Sequence, residues 1–162
     1  MYIGIISDTH DNIIRIDQML SFLNEKNINT IIHCGDVTNL ETLKHLSKNF
    51  NGKIYLSLGN VDEMHGLEKK HINFDNVFVF EKIGELKINN FNIGFCHFPN
   101  LAKELAQKNI FDIVFYGHTH EPWEENINNT KLINPGTLAG MFNKSTFAIL
   151  DTETKNIGLK IL

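Results

Sequence analysis

Short apolar runs alternate with helical patterns over the first sixty residues of this chain. Runs at residues 2–7, 30–32 and 54–58 predict buried β-strands. The segments between them, residues 12–23 and 40–46, repeat apolar side chains every three or four positions, as amphipathic helices do. This βαβαβ order is typical of parallel strands joined by crossover helices, and it favours an α/β architecture.

The middle of the chain is predicted to add further strands and one helix. A strand at residues 77–80 is followed by a hairpin whose strands, 86–88 and 91–96, flank an Asn-Asn turn. A short helix at residues 101–108 and a buried strand at 113–116 come next.

The C-terminal part predicts a β-meander, with strands at residues 130–133, 145–150 and 157–162. Parallel strands first and antiparallel strands later suggest two β-sheets packed face to face. We therefore expect an α/β (α+β) fold of two packed mixed sheets flanked by helices, in one domain spanning residues 1–162.

Side chains that can bind metal ions stand just after five of the predicted strands. In chain order they are Asp8, His10, Asp36, Asn60, His97, His118 and His120. Ligands of α/β sheets bind outside the carboxyl ends of the strands, so we expect these seven side chains to meet at one rim. In Asp8-x-His10 and His118-x-His120, a continued extended backbone would point both side chains of a pair the same way.

Three glycines directly precede candidate ligands, namely Gly35, Gly59 and Gly117. A sharp turn from strand to loop at these points needs unusual backbone angles or a close approach of another segment.

The seven candidate ligands comprise two carboxylates, one amide and four imidazoles, which suit Mn, Fe, Co, Ni or Zn better than Ca. Seven ligands are too many for one catalytic ion, so they predict two ions that share a bridging carboxylate, about 3.5–4 Å apart.

The ordered set Asp8-x-His10, Gly35-Asp36, Gly59-Asn60, His97 and Gly117-His118-x-His120 resembles the calcineurin-like metallophosphoesterase superfamily. Within that superfamily, the chain is similar to the small bacterial and archaeal phosphodiesterases. Asn134-Pro135-Gly136-Thr137 looks like a further signature of this branch. The resemblance covers essentially the whole chain and implies the four-layer sandwich of that superfamily.

The resemblance also implies how two metal ions would be held. One ion would be bound by Asp8, His10 and His120. The other would be bound by Asn60, His97 and His118. Asp36 would bridge the two ions, and a hydroxide between them would attack phosphorus in line. Asn60 and His97 would also orient the phosphate, so we expect Asp36, Asn60 and His97 to be catalytic. The expected cofactors are two divalent transition-metal ions, with Mn²⁺ first and Ni²⁺, Fe²⁺, Co²⁺ or Zn²⁺ as alternatives.

One position departs from the family pattern. Many members carry a histidine directly after the Gly-Asn pair as a general acid, whereas this chain has Val61 there. General acid catalysis typically contributes about 10²–10⁴-fold. We therefore predict activity on aryl phosphodiesters, whose leaving groups need little protonation, and weaker activity on phosphomonoesters. His65 in the same loop is an alternative proton donor, although loop histidines are usually just solvated.

Several other residues are interpreted as ordinary. His33, His45 and His71 are interpreted as satisfied or solvated histidines, and Asn12 as a helix cap. Phe98, directly after His97, could shape the pocket but has no role that the sequence alone assigns.

Composition bounds the function further. Apolar residues make up 42% and charged residues 21% of the chain, as in ordinary globular proteins. The N-terminus lacks a signal-peptide pattern, no segment reaches the length of a membrane span, and the two cysteines stand in no paired motif, so we expect a cytoplasmic protein. The formal net charge of −4 gives no sign of a basic groove for nucleic acid.

The predicted function is hydrolysis of a small phosphodiester at a dinuclear metal site. A non-catalytic scaffold of the same fold is an alternative, as in the retromer subunit, which binds partner proteins and lacks some metal-site residues. A nuclease is a second alternative, which the acidic balance disfavours. Whether the chain forms a homo-oligomer stays open.

Overall fold

Eleven strands and four α-helices make up the fold, which a computed structural model describes over residues 1–162. The helices are α1 (Ile13–Glu25), α2 (Leu40–Asn49), α3 (Asn60–Met64) and α4 (Pro99–Gln107). The strands are β1 (Tyr2–Ile6), β2 (Thr30–His33), β3 (Lys53–Ser57), β4 (Val77–Phe80), β5 (Ile83–Ile88), β6 (Phe91–Cys96), β7 (Ile113–Phe115), β8 (Trp123–Ile127), β9 (Thr130–Asn134), β10 (Thr146–Asp151) and β11 (Ile157–Ile161). A single 3₁₀ turn lies at Lys69–His71.

Both sheets are mixed. The first has the order β11-β10-β1-β2-β3-β4, in which β1 to β4 are parallel and β10 and β11 are antiparallel to their neighbours. The second has the order β5-β6-β7-β9-β8, with a parallel centre of β6, β7 and β9 and an antiparallel strand at each edge. The predicted fold class is thus confirmed.

Three clusters of buried apolar residues define four layers. Ile5 of the first sheet packs with Phe95 and Phe115 of the second sheet in the central cluster. A second cluster joins the outer face of the first sheet to α1 and α2, and a third joins the outer face of the second sheet to α4. The layers therefore run helix, sheet, sheet, helix. No helix is both long and apolar enough to span a membrane.

Local sequence signals fix the helix starts. The Asn12 side chain accepts a hydrogen bond from the Arg15 N–H, which confirms the predicted cap of α1. Asn39 caps α2 in the same way, through the Thr42 N–H. Pro99 begins α4, where the missing N–H of proline costs no hydrogen bond.

The predicted C-terminal meander is wrong. Thr130–Asn134 belongs to the second sheet, whereas Thr146–Asp151 and Ile157–Ile161 form a hairpin in the first. The chain crosses between the sheets at residues 135–145. The antiparallel partner of β9 is β8, Trp123–Ile127, which carries only two apolar residues and therefore lacks the alternation that predicts a strand.

Candidate metal centre

The seven candidate ligands lie at one end of the sandwich, where five parallel strands finish. Asp8 and His10 follow β1, Asp36 follows β2 and Asn60 follows β3. His97 follows β6, and His118 and His120 follow β7. The ends of β1, β2 and β3 in the first sheet thus face the ends of β6 and β7 in the second. This common rim agrees with the expectation from strand ends.

The backbone at the ligands is not extended, which corrects the reasoning from one-residue spacing. Asp8 has φ 53° and His10 has φ 38°. His118 and His120 have φ 71° and 61°. Each pair therefore lies in successive left-handed bends, which are costly for residues with a Cβ and cluster at functional sites. The side chains still converge, but tight loops rather than strand continuation bring them together.

The three glycines before ligands meet different demands. Gly35 has φ 98°, which favours glycine. Gly59 and Gly117 instead allow close approach. A Cβ at Gly59 would lie 2.2 Å from Asp36 Oδ1, and a Cβ at Gly117 would lie 1.9 Å from Ser7 Oγ. Both glycines thus let two ligand-bearing loops touch.

A first triad is formed by Asp8, His10 and His120. The Nε2 atoms of the two histidines are 3.2 Å apart. Asp8 Oδ1 lies 3.3 Å from His120 Nε2 and 3.8 Å from His10 Nε2. The other carboxylate oxygen, Asp8 Oδ2, accepts the backbone N–H of His118 at 3.1 Å. Three candidate ligand atoms therefore face one point.

A second triad is formed by Asn60, His97 and His118. Asn60 Oδ1 lies 3.0 Å from both His97 Nε2 and His118 Nδ1, and these two nitrogens are 3.2 Å apart. His97 Nδ1 donates to the Cys34 carbonyl oxygen at 2.8 Å, so the neutral ring presents the lone pair of Nε2 to the triad.

Asp36 lies between the two triads. Its Oδ2 atom is 3.3 Å from His97 Nε2 in the second triad and 4.0 Å from His10 Nε2 in the first. Its Oδ1 atom accepts the Val61 N–H at 2.8 Å, which leaves Oδ2 directed toward both groups. One carboxylate oxygen is therefore shared by the two sets of ligand atoms.

The ligand atoms of the two triads fit divalent cations. In the second triad, Asn60 Oδ1 and Nε2 of neutral His97 are two acceptors at hydrogen-bond distance, because the ring proton of neutral His97 lies on Nδ1 and is donated to the Cys34 carbonyl oxygen. In the first triad, Asp8 Oδ1 is buried and has no hydrogen bond. Buried acceptors without donors are costly unless a cation satisfies them. Imidazole, carboxylate and amide ligands in this mixture suit first-row transition metals.

The pKa shifts within the centre also indicate an environment that favours a cation. Burial opposes ionisation of Asp36, but its contact with His97 holds the pKa of Asp36 below its usual value. Burial also opposes charge on His97, yet Asp36 raises the pKa of His97. Contact with Asp8 raises the pKa of His120, whereas burial and the neighbouring His97 lower that of His118. The carboxylates thus draw positive charge into the centre, as they would draw a metal cation.

A residue that the sequence analysis passed over, Asp62, holds the ligand loops together. Its buried carboxylate accepts three backbone N–H groups, from Gly59 at 2.8 Å, Asp36 at 2.9 Å and Thr38 at 2.7 Å. Burial raises the pKa of Asp62, and these donors offset part of that effect. The signal that could have found it is local, because an acid three residues after the helix N-cap, Gly59, matches half of a capping box.

The Asn134-Pro135-Gly136-Thr137 segment supports the loops that carry the ligands. Asn134 Nδ2 donates to the Gly117 carbonyl oxygen at 3.0 Å, and its Oδ1 accepts the Gly136 N–H at 2.8 Å. Thr137 Oγ1 donates to the Asp8 carbonyl oxygen at 3.0 Å. The segment therefore braces two ligand loops through their backbones.

Four histidines lie outside the triads, namely His33, His45, His65 and His71. His33 is fully buried; its Nδ1 accepts the Gly35 N–H at 3.1 Å and its Nε2 lies 3.2 Å from Thr9 Oγ1, which agrees with the interpretation of a satisfied histidine. His65 is exposed at the C-terminal end of α3. Val61 is the second residue of the same helix, directly after Asn60.

A family model described as the calcineurin-like phosphoesterase superfamily domain matches residues 1–155. This chain belongs to that superfamily. Phosphodiesterase MJ0936 of Methanocaldococcus jannaschii is 37% identical over 162 residues, covering 96% of this chain and 95% of the relative. A probable metallophosphoesterase of the same organism is 32% identical, covering 85% and 68%. These relatives confirm the predicted family and the prediction that this superfamily member is a phosphoesterase.

Solved structures agree. An archaeal phosphodiesterase superposes with a TM-score of 0.87 at 33% identity, covering 100% of both chains. Vacuolar protein sorting 29 from Cryptosporidium parvum superposes with a TM-score of 0.68 at 19% identity, covering 99% of this superfamily member and 97% of the other chain. The second likeness shows the shared fold alone.

Proposed function

We propose that this phosphoesterase is a metal-dependent phosphodiesterase with a dinuclear centre. One ion would be held by the first triad and the other by the second triad. Asp36 would bridge them. The phosphodiesterase activity of its archaeal relatives supports the choice of diester substrate.

The position of Asp36 Oδ2 carries this proposal. Among the carboxylate oxygens of the centre, only Asp36 Oδ2 lies within 4.0 Å of histidine nitrogens from both triads. The other oxygen, Asp36 Oδ1, accepts the Val61 N–H. A shared carboxylate oxygen between two ligand sets is what a pair of ions needs and what a single ion does not. All seven positions carry side chains that can bind a metal ion, which also favours an enzyme over a non-catalytic scaffold of this fold.

The chain's own residues would position the phosphate. Asn60 and His118 are half-exposed or exposed, so they face the open side of the centre, whereas Asp8, Asp36 and His97 are buried beneath. We infer that the Asn60 amide, on the open side, orients the phosphoryl group and that the buried His97 ring, 3.0 Å from Asn60 Oδ1, acts on the phosphate by holding this amide in place. When bound, two divalent ions supply Lewis-acid activation of the phosphoryl group and of the attacking water. Mn²⁺ is the first choice of ion, with Ni²⁺, Fe²⁺, Co²⁺ or Zn²⁺ as alternatives.

The leaving group would receive little protonation from the chain. Val61 has no titratable group, and its side chain is at the start of α3 beside Asn60. We infer that diesters with acidic leaving groups react readily and that alkyl esters react slowly.

The test is hydrolysis of bis(4-nitrophenyl) phosphate by chelator-treated protein, before and after addition of Mn²⁺ or Ni²⁺. Turnover is expected only with metal. His118→Ala should lose most of it, whereas His71→Ala, at an exposed histidine of the 3₁₀ turn outside both triads, serves as the matched control and should keep it. Two bound ions without metal-dependent turnover would leave the centre in place but contradict the catalytic proposal.

We also propose a small phosphodiester as substrate and a reducing, cytoplasmic location. Cys34 and Cys96 are both buried and unpaired, which supports a reducing compartment. The net charge of −4 gives no support to nucleic acid as a partner.

A further inference from the structure

The loop at residues 140–143 carries an unusually exposed aromatic side chain beside the metal centre. Phe142 is 92% exposed, the highest value among the exposed large hydrophobic residues. Its ring centroid lies 6.3 Å from that of His120, with the two ring planes inclined by 31°. The free face of an aromatic ring therefore lies next to a ligand of the first triad.

Folding does not account for this side chain. An exposed ring removes little apolar surface from water, so it contributes little hydrophobic stabilisation. The backbone of Phe142 has φ 63°, a conformation that is unfavourable for a bulky residue and favourable for glycine. A phenylalanine here costs conformational energy and recovers little of it in packing.

The loop is nevertheless fixed to the centre. Asn143 Nδ2 donates to the His120 carbonyl oxygen at 3.1 Å. At the other end, the Ala139 N–H donates to the Asp8 carbonyl oxygen at 3.0 Å, and Asn12 Nδ2 donates to the Ala139 carbonyl oxygen at 2.8 Å. The ring is thus presented beside the first triad by a loop anchored on both sides.

A second aromatic residue stands beside the other triad. Phe98 is 38% exposed, and its ring centroid lies 5.0 Å from His97 and 5.1 Å from His118. Each triad therefore has a phenylalanine whose ring centroid lies within 6.3 Å of that of one of its histidines. Because Phe98 also packs on two histidines, it supports them structurally, and Phe142 is the residue that isolates an effect on binding.

We propose that Phe142 is a stacking platform for an aromatic ester group of the substrate, so that the centre prefers phosphodiesters that carry a nucleobase or a similar flat ring. This inference rests on the proposed function, because the phosphate must lie at the two triads for its ester group to reach the ring. Aromatic side chains stack on bases with little dependence on base identity. The platform would thus select a nucleoside-bearing diester without reading a sequence.

The test compares adenosine 5′-monophosphate with ribose 5-phosphate, since the two share the phosphate and sugar and differ in the base. Binding to Mn²⁺-loaded protein is measured by titration calorimetry, which needs no turnover. The unsubstituted protein should bind the nucleotide roughly tenfold more tightly than the sugar phosphate, the order expected for one stacked base. Phe142→Ala should abolish that preference, and Phe142→Trp should retain it. Phe78→Ala, at an exposed phenylalanine away from the centre, is the matched control and should also retain it.

Three results would overturn the platform. Equal binding of the two probes by the unsubstituted protein would show that the base has no contact. A preference that persists in Phe142→Ala would place the contact elsewhere. A smaller molar mass of Phe142→Ala by light scattering, together with equal weakening for both probes, would show that the ring belongs to a subunit contact. Failure of the catalytic proposal looks different, since the binding preference would persist while aryl diester hydrolysis is absent.

Discussion

At the scale of single residues, Asp36 decides whether the centre is one site or two. Its Oδ2 atom faces histidine nitrogens of both triads, while Oδ1 is held by the Val61 N–H. We predict that Asp36→Ala and Asp36→Asn lose both ions. Asparagine keeps the oxygen that accepts the Val61 N–H, so it separates loss of charge from collapse of the loop. Metal content after dialysis provides the measurement, with the exposed Asp75→Asn as control. Retention of one ion would contradict the bridging assignment.

Val61 leads to a prediction about leaving groups. Val61→His places an imidazole at the start of α3, next to Asn60, where a proton donor could reach the leaving oxygen. We predict that the variant hydrolyses alkyl diesters faster relative to aryl diesters, by up to roughly 10²-fold, the lower end of typical general acid effects. The ratio of kcat/KM for an alkyl ester and a nitrophenyl ester is the readout. An unchanged ratio would mean that this position does not face the leaving group.

His65 tests the alternative proton donor. Its exposure at the end of α3 favours a solvated histidine over a catalytic one. His65→Ala is therefore predicted to leave turnover and its pH profile as in the unsubstituted protein. A loss of the acidic or basic limb of that profile would instead assign His65 a role in proton transfer.

At the scale of elements, α3 and its preceding turn are fastened by Asp62. Three backbone N–H groups from the loops of Gly59, Asp36 and Thr38 converge on its carboxylate. Asp62→Ala leaves these buried donors without an acceptor, so we predict a loss of roughly 3–5 kcal/mol in the free energy of unfolding. Asp62→Asn also turns an amide N–H toward a backbone N–H and should be similarly destabilised.

The neighbouring Glu63 provides the control for that prediction. It is exposed on the same helix, so Glu63→Ala should change the free energy of unfolding by no more than about 0.5 kcal/mol. Chemical denaturation of metal-free protein measures both variants without interference from bound ions. Equal stability of the Asp62 and Glu63 variants would refute the fastening role.

The elements also show what the sequence could and could not indicate. The ligand rim was predictable because apolar runs mark β1, β2, β3, β6 and β7, and the polar residue after each run marks its carboxyl end. Strand β8 was not predictable, since its two apolar residues make no alternating pattern. The sheet membership of β9 was not predictable either, because both of its faces are buried and only its spatial neighbours identify its sheet.

The backbone conformation at the ligands could not be predicted from the sequence for a different reason. Asp8, His10, His118 and His120 adopt positive φ, which is uncommon for any residue with a Cβ, although Asp and His adopt it more often than most. The surrounding contacts impose it, among them the hydrogen bond from the His118 N–H to Asp8 Oδ2. Such long-range contacts have no signature within a short window of sequence.

At the scale of the whole molecule, the buried neutral His33 couples stability to pH. Burial lowers its pKa from 6.5 to about 3, so between these values the unfolded chain binds a proton that the folded protein does not. Stability contributed by His33 is thus complete above pH 6.5 and is lost as the pH falls toward 3. The loss amounts to about 2 kcal/mol by pH 5.

His33→Asn should therefore flatten the fall in unfolding free energy between pH 6.5 and pH 5 in metal-free protein, even if the variant is less stable at neutral pH. Asparagine retains an acceptor for the Gly35 N–H and cannot titrate. His71→Asn, at an exposed histidine, is the matched control and should keep the original slope. An unaltered slope in His33→Asn would show that His33 does not set the acid sensitivity.

A centre that holds two ions around one carboxylate must bind two metal ions per chain, so the stoichiometry of metal binding is the decisive measurement. Calorimetric titration of chelator-treated protein with Mn²⁺, checked by elemental analysis of the dialysed product, should give two ions per chain. Electron paramagnetic resonance of that product should show magnetic coupling between the two ions, because a shared carboxylate would hold them about 3.5–4 Å apart. A single ion per chain, or two uncoupled ions, would contradict a carboxylate-bridged dinuclear centre.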